Sequence, residues 1–342
     1  MLVYKTDKYL LVSCDCLTYM KGMDANSVDC IITSPPYWAM REYDNRSDPN
    51  EVGNESGFES YKKGLVRIFQ EARRILKPTG SLWLNLGDKY CDKALLGMPW
   101  RVAIALMDDG WILRNDVIWN QLKGTQSAKD RLRDSYEHIF HFVKTKKYYY
   151  NGDAIRVKPT LKPKVDEKVT ISATGVSGKR YREQIAASDL SPAEKEHALA
   201  ALEDALARIR SGEINDFRMA IRGVQRPWHS DSTNISGRAK ELQDRGFYIM
   251  RMGAKGPLPT DIWDIVTEDT WRKDRHYAVF PEQLLQIPLM ATCPKGGVVL
   301  DPFSGTGSTV SAAIKHGCFG IGIDLSEEYT KTAYERLGVS LF

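Results

Sequence analysis

The chain has 342 residues, with 48 Lys+Arg against 44 Asp+Glu, a net charge of +4, and 42% hydrophobic and 27% charged residues. These are globular proportions for one large or two medium domains, and they exclude a wholly disordered, collagenous or coiled-coil chain. No apolar run reaches the ~18 residues of a membrane span, the Met1 to Lys8 stretch is too charged for a secretory signal, and six scattered cysteines without a CxxC pair point to reduced cytoplasmic thiols rather than a zinc site or disulfide framework.

The first 150 residues alternate strand-like and helix-like runs. Leu10-Leu11-Val12 reads as a strand, and so does Val28 to Ile32, which ends at Thr33-Ser34-Pro35-Pro36. From Tyr61 to Leu76 the apolar residues Leu65, Ile68, Phe69, Ala72, Ile75 and Leu76 recur at helical spacing, and Lys77-Pro78-Thr79-Gly80 is expected to stop the helix. Ser81 to Leu86 follows as a buried strand, Pro99 to Met107 as a helix, and Val117 to Trp119 and His138 to Val143 as strands. This cadence predicts a parallel or mixed sheet with helices on its faces.

The rhythm breaks near residue 150. Thr145 to Arg182 holds ten Lys/Arg and three Asp/Glu, interrupted by prolines and glycines. Ser191-Pro192-Ala193-Glu194 reads as a helix start with a capping box, and the helix is expected to reach Arg210 with an alternating charged, solvated face. Gly223 to Gly256 reads as loop-rich and basic, with Trp228, Phe247 and Tyr248 interleaved. After Asp261 the cadence returns: a strand over Gly297–Asp301, a helix from Ser308 to His316 closed by Gly317, and a strand from Cys318 to Asp324. The layout is one α/β domain made of both ends of the chain, 1–150 and 261–342, with a basic insertion at 151–260 between them.

Two motifs carry chemistry. Asp301-Pro302-Phe303-Ser304-Gly305-Thr306-Gly307 is a small-residue loop between a strand and a helix, where backbone can approach a ligand closely. It lacks the Lys-[Ser/Thr] of a phosphate loop and the third glycine of a dinucleotide fingerprint. Asp324, ending the next strand, can accept two ribose hydroxyls, which leaves an adenosine ligand without pyrophosphate, such as S-adenosylmethionine. The second motif is Ser34-Pro35-Pro36-Tyr37. Ser34 and a Pro35 carbonyl can accept the two N–H bonds of a planar amino group, and Tyr37 can stack on a base.

In combination and order these motifs resemble the β-class, circularly permuted DNA amino-methyltransferases that use S-adenosylmethionine. There the Ser/Asp-Pro-Pro-Tyr motif comes first, a target-recognition region follows, and a Phe-x-Gly-x-Gly cofactor loop comes last. The resemblance covers roughly residues 9–150 and 260–335. It implies a Rossmann-like methyltransferase sheet with an inserted target-recognition region. It implies catalysis by Ser34, Pro35, Pro36 and Tyr37, and cofactor contacts from Asp15, Pro281, Asp301, Phe303, Gly305, Gly307 and Asp324, with no metal. His276 to Pro281 and Leu284 look like the motif that packs on the methionine end of the cofactor. The implied reaction is direct displacement of the methyl by the exocyclic amine of a base flipped from double-stranded DNA, without a covalent intermediate. Serine at the first motif position points to cytosine N4, with adenine N6 the alternative. An inactive DNA-binding relative and an RNA methyltransferase are the remaining alternatives. The resemblance implies either a cognate restriction endonuclease as partner or a solitary enzyme, the cytoplasm is the implied compartment, and no membrane is implied.

Other residues read as structural or open. Asn85-Leu86-Gly87-Asp88 could line the cleft or simply turn the chain. Trp119 reads as core, His138 and His141 as satisfied structural histidines, and Cys293-Pro294 as structural. Arg218, Arg222, Arg226, Arg238 and Arg251 are candidate phosphate or base-edge contacts.

Overall fold

A computed structural model of the chain describes residues 1–38, 52–122, 129–166, 169–224, 237–266 and 281–340. The chain forms two compact units, one of Met1–Ile155 with Thr260–Phe342 and one of Arg156–Pro259. The first unit begins with β1 (Val3–Lys5), β2 (Tyr9–Ser13), α1 (Cys16–Lys21), β3 (Val28–Thr33), α2 (Phe58–Ile75) and β4 (Leu76–Leu86). It continues with the small pair β5 (Tyr90–Cys91) and β6 (Ala94–Leu95), then α3 (Met98–Asp108), β7 (Ile112–Asn120) and β8 (Tyr136–Val143). The second unit holds β9 (Lys164–Val165), β10 (Thr170–Ile171), α4 (Lys179–Ala187), α5 (Pro192–Arg210), β11 (Ile214–Ile221), α6 (Arg238–Arg245) and β12 (Phe247–Gly253). The first unit resumes with β13 (Ile262–Asp264), α7 (Glu282–Thr292), β14 (Val298–Asp301), α8 (Ser308–Lys315), β15 (Phe319–Asp324) and α9 (Glu327–Ser340).

Nine strands of the first unit make one sheet in the order β1-β2-β15-β14-β3-β4-β8-β7-β13. From β2 to β4 all neighbours are parallel. β8 runs antiparallel between β4 and β7, and β13 pairs parallel with β7. Side chains alternate between two apolar layers, as the pleat requires. Ile31, Leu82, Leu84, Phe140 and Phe142 pack with α2 and α3, while Cys30, Ile32, Trp83, Val117, Trp119 and Ile139 pack toward α7 and α8. The mixed α/β sheet expected from the sequence is therefore present. Among the described residues no helix is long and apolar enough to cross a membrane.

The sheet fixes where a ligand can sit. From β14 the chain runs through α8 to β15 on one side, and from β3 through α2 to β4 on the other. Strand order thus reverses between β14 and β3, and the crevice at their carboxyl ends is the place where open α/β sheets bind ligands.

Some boundaries differ from the sequence reading. β4 starts at Leu76, directly after α2, because Leu76 pairs with Val28. The residues around Pro78 are absorbed by a register shift between Val28 and Cys30. Gly80 lies where a Cβ would be 2.8 Å from the Asp29 carbonyl. The segment 151–155 belongs with the first unit, where Asn151 donates to the Ala291 carbonyl at 2.7 Å. Phe247–Gly253 is strand rather than loop and pairs with β11. α5 starts at the expected capping box of Ser191 and Glu194. It also buries Ala198, Leu202, Ala205, Leu206 and Ile209 against Phe217, Met219, Ile221 and Phe247, so its charges cover one side only.

Candidate active site

β3 is buried along its length and delivers Thr33 and Ser34 to the crevice. Thr33 Oγ1 donates to Asp301 Oδ1 at 2.7 Å, which ties the ends of the two strands that flank the reversal. Ser34 is the next residue. Pro35 and Pro36 then restrict the backbone, and the Tyr61 hydroxyl of α2 donates to the Pro36 carbonyl at 3.0 Å.

Tyr37 turns its hydroxyl inward rather than outward. Ser34 Oγ donates to Tyr37 Oη at 3.3 Å, and Tyr37 Oη donates to Glu137 Oε2 of β8 at 2.7 Å. Asn85, at the end of β4 and 2% exposed, donates from Nδ2 to Glu137 Oε2 at 2.6 Å and to Tyr37 Oη at 2.8 Å, and lies 3.4 Å from Ser34 Oγ. Gln121 Nε2, just past β7, donates to Glu137 Oε1 at 2.9 Å. Burial, and secondarily the Glu137 charge, push the Tyr37 phenol well above its ordinary range, so Tyr37 is a neutral donor at physiological pH. Asn85 Oδ1 is buried with no partner among the described residues, an unsatisfied acceptor of the kind that marks functional positions.

The glycine-rich loop faces the same crevice from the other strands. Asp301 is buried, and both its carboxylate oxygens are engaged within the protein. Oδ1 accepts from Thr33 and from the Phe303 N–H at 3.1 Å, and Oδ2 accepts from Thr309 Oγ1 at 2.7 Å. Burial raises its pKa against these bonds. Gly305 and Gly307 have φ of +50° and +77°, a region where side chains are strained, and Gly307 is the N-cap of α8. A Cβ on Gly322 would fall on the Ser304 side chain, so the loop lies directly on β15. Phe303 packs against the same apolar layer as Tyr37 and Trp38.

Asp324 closes the loop from the end of β15. Its Oδ2 accepts from the Gly305 N–H at 2.8 Å and its Oδ1 from the Ser326 N–H at 2.9 Å. Burial raises its pKa to about 6. The Cys14 N–H donates to the Asp324 carbonyl at 2.9 Å, which brings Asp15 to the same end of the sheet. Asp15 is the N-cap of α1, accepting from Thr18 N at 2.8 Å and from Thr18 Oγ1 at 2.6 Å. Burial and the charges of Asp15 and Asp324 together push up the Cys16 thiol. Pro281 is the N-cap of α7. His276 to Phe280 of the expected methionine-end motif lie outside the described residues.

This loop fits an adenosine-containing cation better than a nucleotide. The loop offers backbone, the Asp324 carboxylate bonds to it from the end of β15, Asp15 starts α1 at the same end of the sheet, and no lysine follows Gly307 to neutralise phosphate. Among the described residues no cluster of His, Cys, Asp or Glu could hold a metal.

A family model described as DNA methylase matches residues 28–335. The chain belongs to this family. The type II methyltransferase M.SfiI of Streptomyces fimbriatus is 30% identical to the methylase, over 97% of this chain and 90% of its own. M.SmaI of Serratia marcescens is 29% identical over 93% of this chain and 87% of its own. The structure of the PvuII DNA methyltransferase (cytosine-N4-specific) shares the fold, with a TM-score of 0.60 and 16% identity over 97% of this chain and 87% of that one. The methylase is thus an S-adenosylmethionine-dependent DNA amino-methyltransferase, the family expected from its two motifs.

Two residues that touch Ser34 or Tyr37 were not evident from the sequence of the methylase. Asn85 reads equally as cleft or turn, and Glu137 and its partner Gln121 carry no signal beyond polarity beside a buried strand. Trp119 is core, 5% exposed, with Nε1 donating to the Ile265 carbonyl. His141 is stacked on Trp83, bonded to Ser81 and held neutral by burial, with its pKa lowered to about 3. His138 pairs with Asp116 at 2.8 Å. Cys293 is buried against Cys318. In the second unit Arg222 pairs with Glu194 and Arg251 with Asp204, while Arg218 and Arg238 are exposed. Arg226 and Trp228 lie outside the described residues.

Gly87 supports Tyr37 by close approach. A Cβ there would come 2.7 Å from Tyr37 Cε2. Gly87→Ala should therefore shift the ring and lower the single-turnover rate of methyl transfer by about 10-fold or more, since small misplacements at a reacting centre are costly. Titration of S-adenosylmethionine into the same variant should show unchanged affinity.

Proposed function

We propose that the methylase transfers a methyl group to cytosine N4 in double-stranded DNA, on a base flipped into the crevice between β3 and β14. The observation that carries this reading is the placement of the Ser34 hydroxyl at the strand-order reversal, beside Asn85 and Tyr37. An exocyclic amine is a weak nucleophile because its lone pair is delocalised into the ring. Ser34 Oγ and the Pro35 carbonyl accept its two N–H bonds, draw the nitrogen toward tetrahedral geometry and stabilise the charge that develops there. Pro36 holds that backbone rigid, with its own carbonyl already engaged by Tyr61. Asn85 and Glu137 hold the Tyr37 hydroxyl, which fixes the ring that flanks the base.

When bound, S-adenosylmethionine supplies an electrophilic methyl on a sulfonium leaving group. Asp324 would accept its ribose hydroxyls, Asp15 would meet its adenine, and Phe303, Gly305, Gly307 and Pro281 would line the pocket that holds it. Asp301 acts from within, holding the loop to Thr33. The rest of catalysis is positioning. The unit Arg156–Pro259 would take target recognition, with the exposed Arg218 and Arg238 as candidate phosphate or base-edge contacts. A cognate restriction endonuclease is the expected partner, and the cytoplasm the expected compartment. Serine rather than aspartate at position 34 supports cytosine over adenine.

The test is to incubate the methylase with S-adenosylmethionine and unmethylated DNA, digest to nucleosides and identify the product by mass and retention. N4-methylcytosine is expected. N6-methyladenine would overturn the base assignment and leave the amine mechanism in place.

A further inference from the structure

We infer that Glu137 is the proton acceptor of the reaction, reached from Ser34 through the Tyr37 hydroxyl. The inference rests on the reading of Ser34 as the residue that meets the target amine. An amino nitrogen that has gained a methyl carries one proton too many. In a crevice closed around a flipped base, that proton needs an exit other than bulk water.

The structure contains one. Ser34 Oγ donates to Tyr37 Oη at 3.3 Å, and Tyr37 Oη donates to Glu137 Oε2 at 2.7 Å. Both bonds point away from the amine site toward a carboxylate. The balance closes as three coupled transfers. The N–H bond breaks as its proton passes to Ser34 Oγ, the Ser34 proton passes to Tyr37 Oη, and the Tyr37 proton passes to Glu137 Oε2. Three O–H bonds form as one N–H and two O–H bonds break, and the charge on nitrogen is neutralised against the carboxylate.

The environment of Glu137 suits this role. Its partners are Tyr37, Asn85 and Gln121, all uncharged. They aim the carboxylate without neutralising it. The two amides hold one oxygen each, and the phenol shares Oε2 with Asn85. A carboxylate needed only to anchor Tyr37 could be replaced by a neutral acceptor of the same shape. A proton acceptor could not.

Glu137→Gln, Glu137→Ala, Tyr37→Phe and Ser34→Ala would be compared by single-turnover methyl incorporation into DNA, with S-adenosylmethionine affinity measured on each protein. The expected result is a loss of about 10²-fold or more in Glu137→Gln and in Tyr37→Phe, with cofactor affinity within about twofold. Added formate should restore Glu137→Ala in a saturable manner, because a small carboxylate can take the vacated place, and should not restore Ser34→Ala. Glu137→Gln within about threefold of the parent would overturn the inference, and so would full activity of Tyr37→Phe. A Glu137→Gln loss accompanied by no formate rescue of a folded, cofactor-binding Glu137→Ala would reassign Glu137 to a structural role. Full activity of Ser34→Ala would instead sink the underlying reading of the site.

Discussion

Ser34→Ala is expected to lower DNA methylation by about 10² to 10³-fold, the range seen when one preorganised hydrogen-bonding group is removed from a developing charge. S-adenosylmethionine affinity should stay within about twofold. The two expectations separate because of where the residue sits. Deleting one hydroxyl removes only a 3.3 Å bond to Tyr37 and a 3.4 Å approach of Asn85. Tyr37 and Asn85 keep their shorter bonds to Glu137, at 2.7 and 2.6 Å, so the pocket wall stands. The tie between β3 and β14 runs through Thr33 and Asp301, not through Ser34. The glycine-rich loop therefore has no reason to move. Single-turnover incorporation and calorimetric titration check the pair. A parallel fall in rate and affinity would mean that Ser34 shapes the whole crevice rather than the amine alone.

Much of this site was legible in the sequence for specific reasons. β3 is a continuous buried run, the signature of a central parallel strand, and it stops at two prolines that cannot continue a ladder. The glycine-rich loop announces itself by glycines that the backbone requires at positive φ. What could not be read is the antiparallel entry of β8 between β4 and β7. That single insertion brings residue 137 against residues 37 and 85, and nothing local to Glu137 records it. Asp301 shows the opposite limit. An acidic residue before a glycine loop reads as a ligand contact, but Thr33, Thr309 and the Phe303 N–H already engage its oxygens. In the second unit Phe217, Met219 and Ile221 recur at period two beside a basic, glycine-interrupted stretch. The burial of that ribbon depends on α5, which no short window reveals.

Replacement of Asp324 should act on the cofactor and do so with a defined pH signature. In the proposed arrangement its carboxylate accepts ribose hydroxyls while holding the Gly305 and Ser326 N–H groups. Loss of hydrogen bonds to a charged group corresponds to about 1.5–3 kcal/mol, so Asp324→Ala should weaken S-adenosylmethionine binding by roughly 10 to 100-fold at pH 7.5. Burial raises the carboxyl pKa from 3.8 to about 6 in the unbound protein. Hydroxyl donors favour the ionised form, so binding opposes protonation. Affinity of the parent should be flat above about pH 7 and fall as pH drops through 6, by up to about tenfold per unit. Asp324→Asn has no proton to release and should bind weakly at every pH from 5 to 8, so that parent and variant converge toward pH 5. The stability linkage has its own sign. A carboxyl pKa higher in the fold than in the unfolded chain contributes stability that is fully present below about 3.8 and lost as pH rises through 6. The unbound methylase thus holds a carboxylate at some cost at neutral pH, and ribose binding offsets that cost. Titrations of parent and Asp324→Asn across this range decide the matter: parallel curves would remove Asp324 from the cofactor, and convergence at low pH would place the ribose on it.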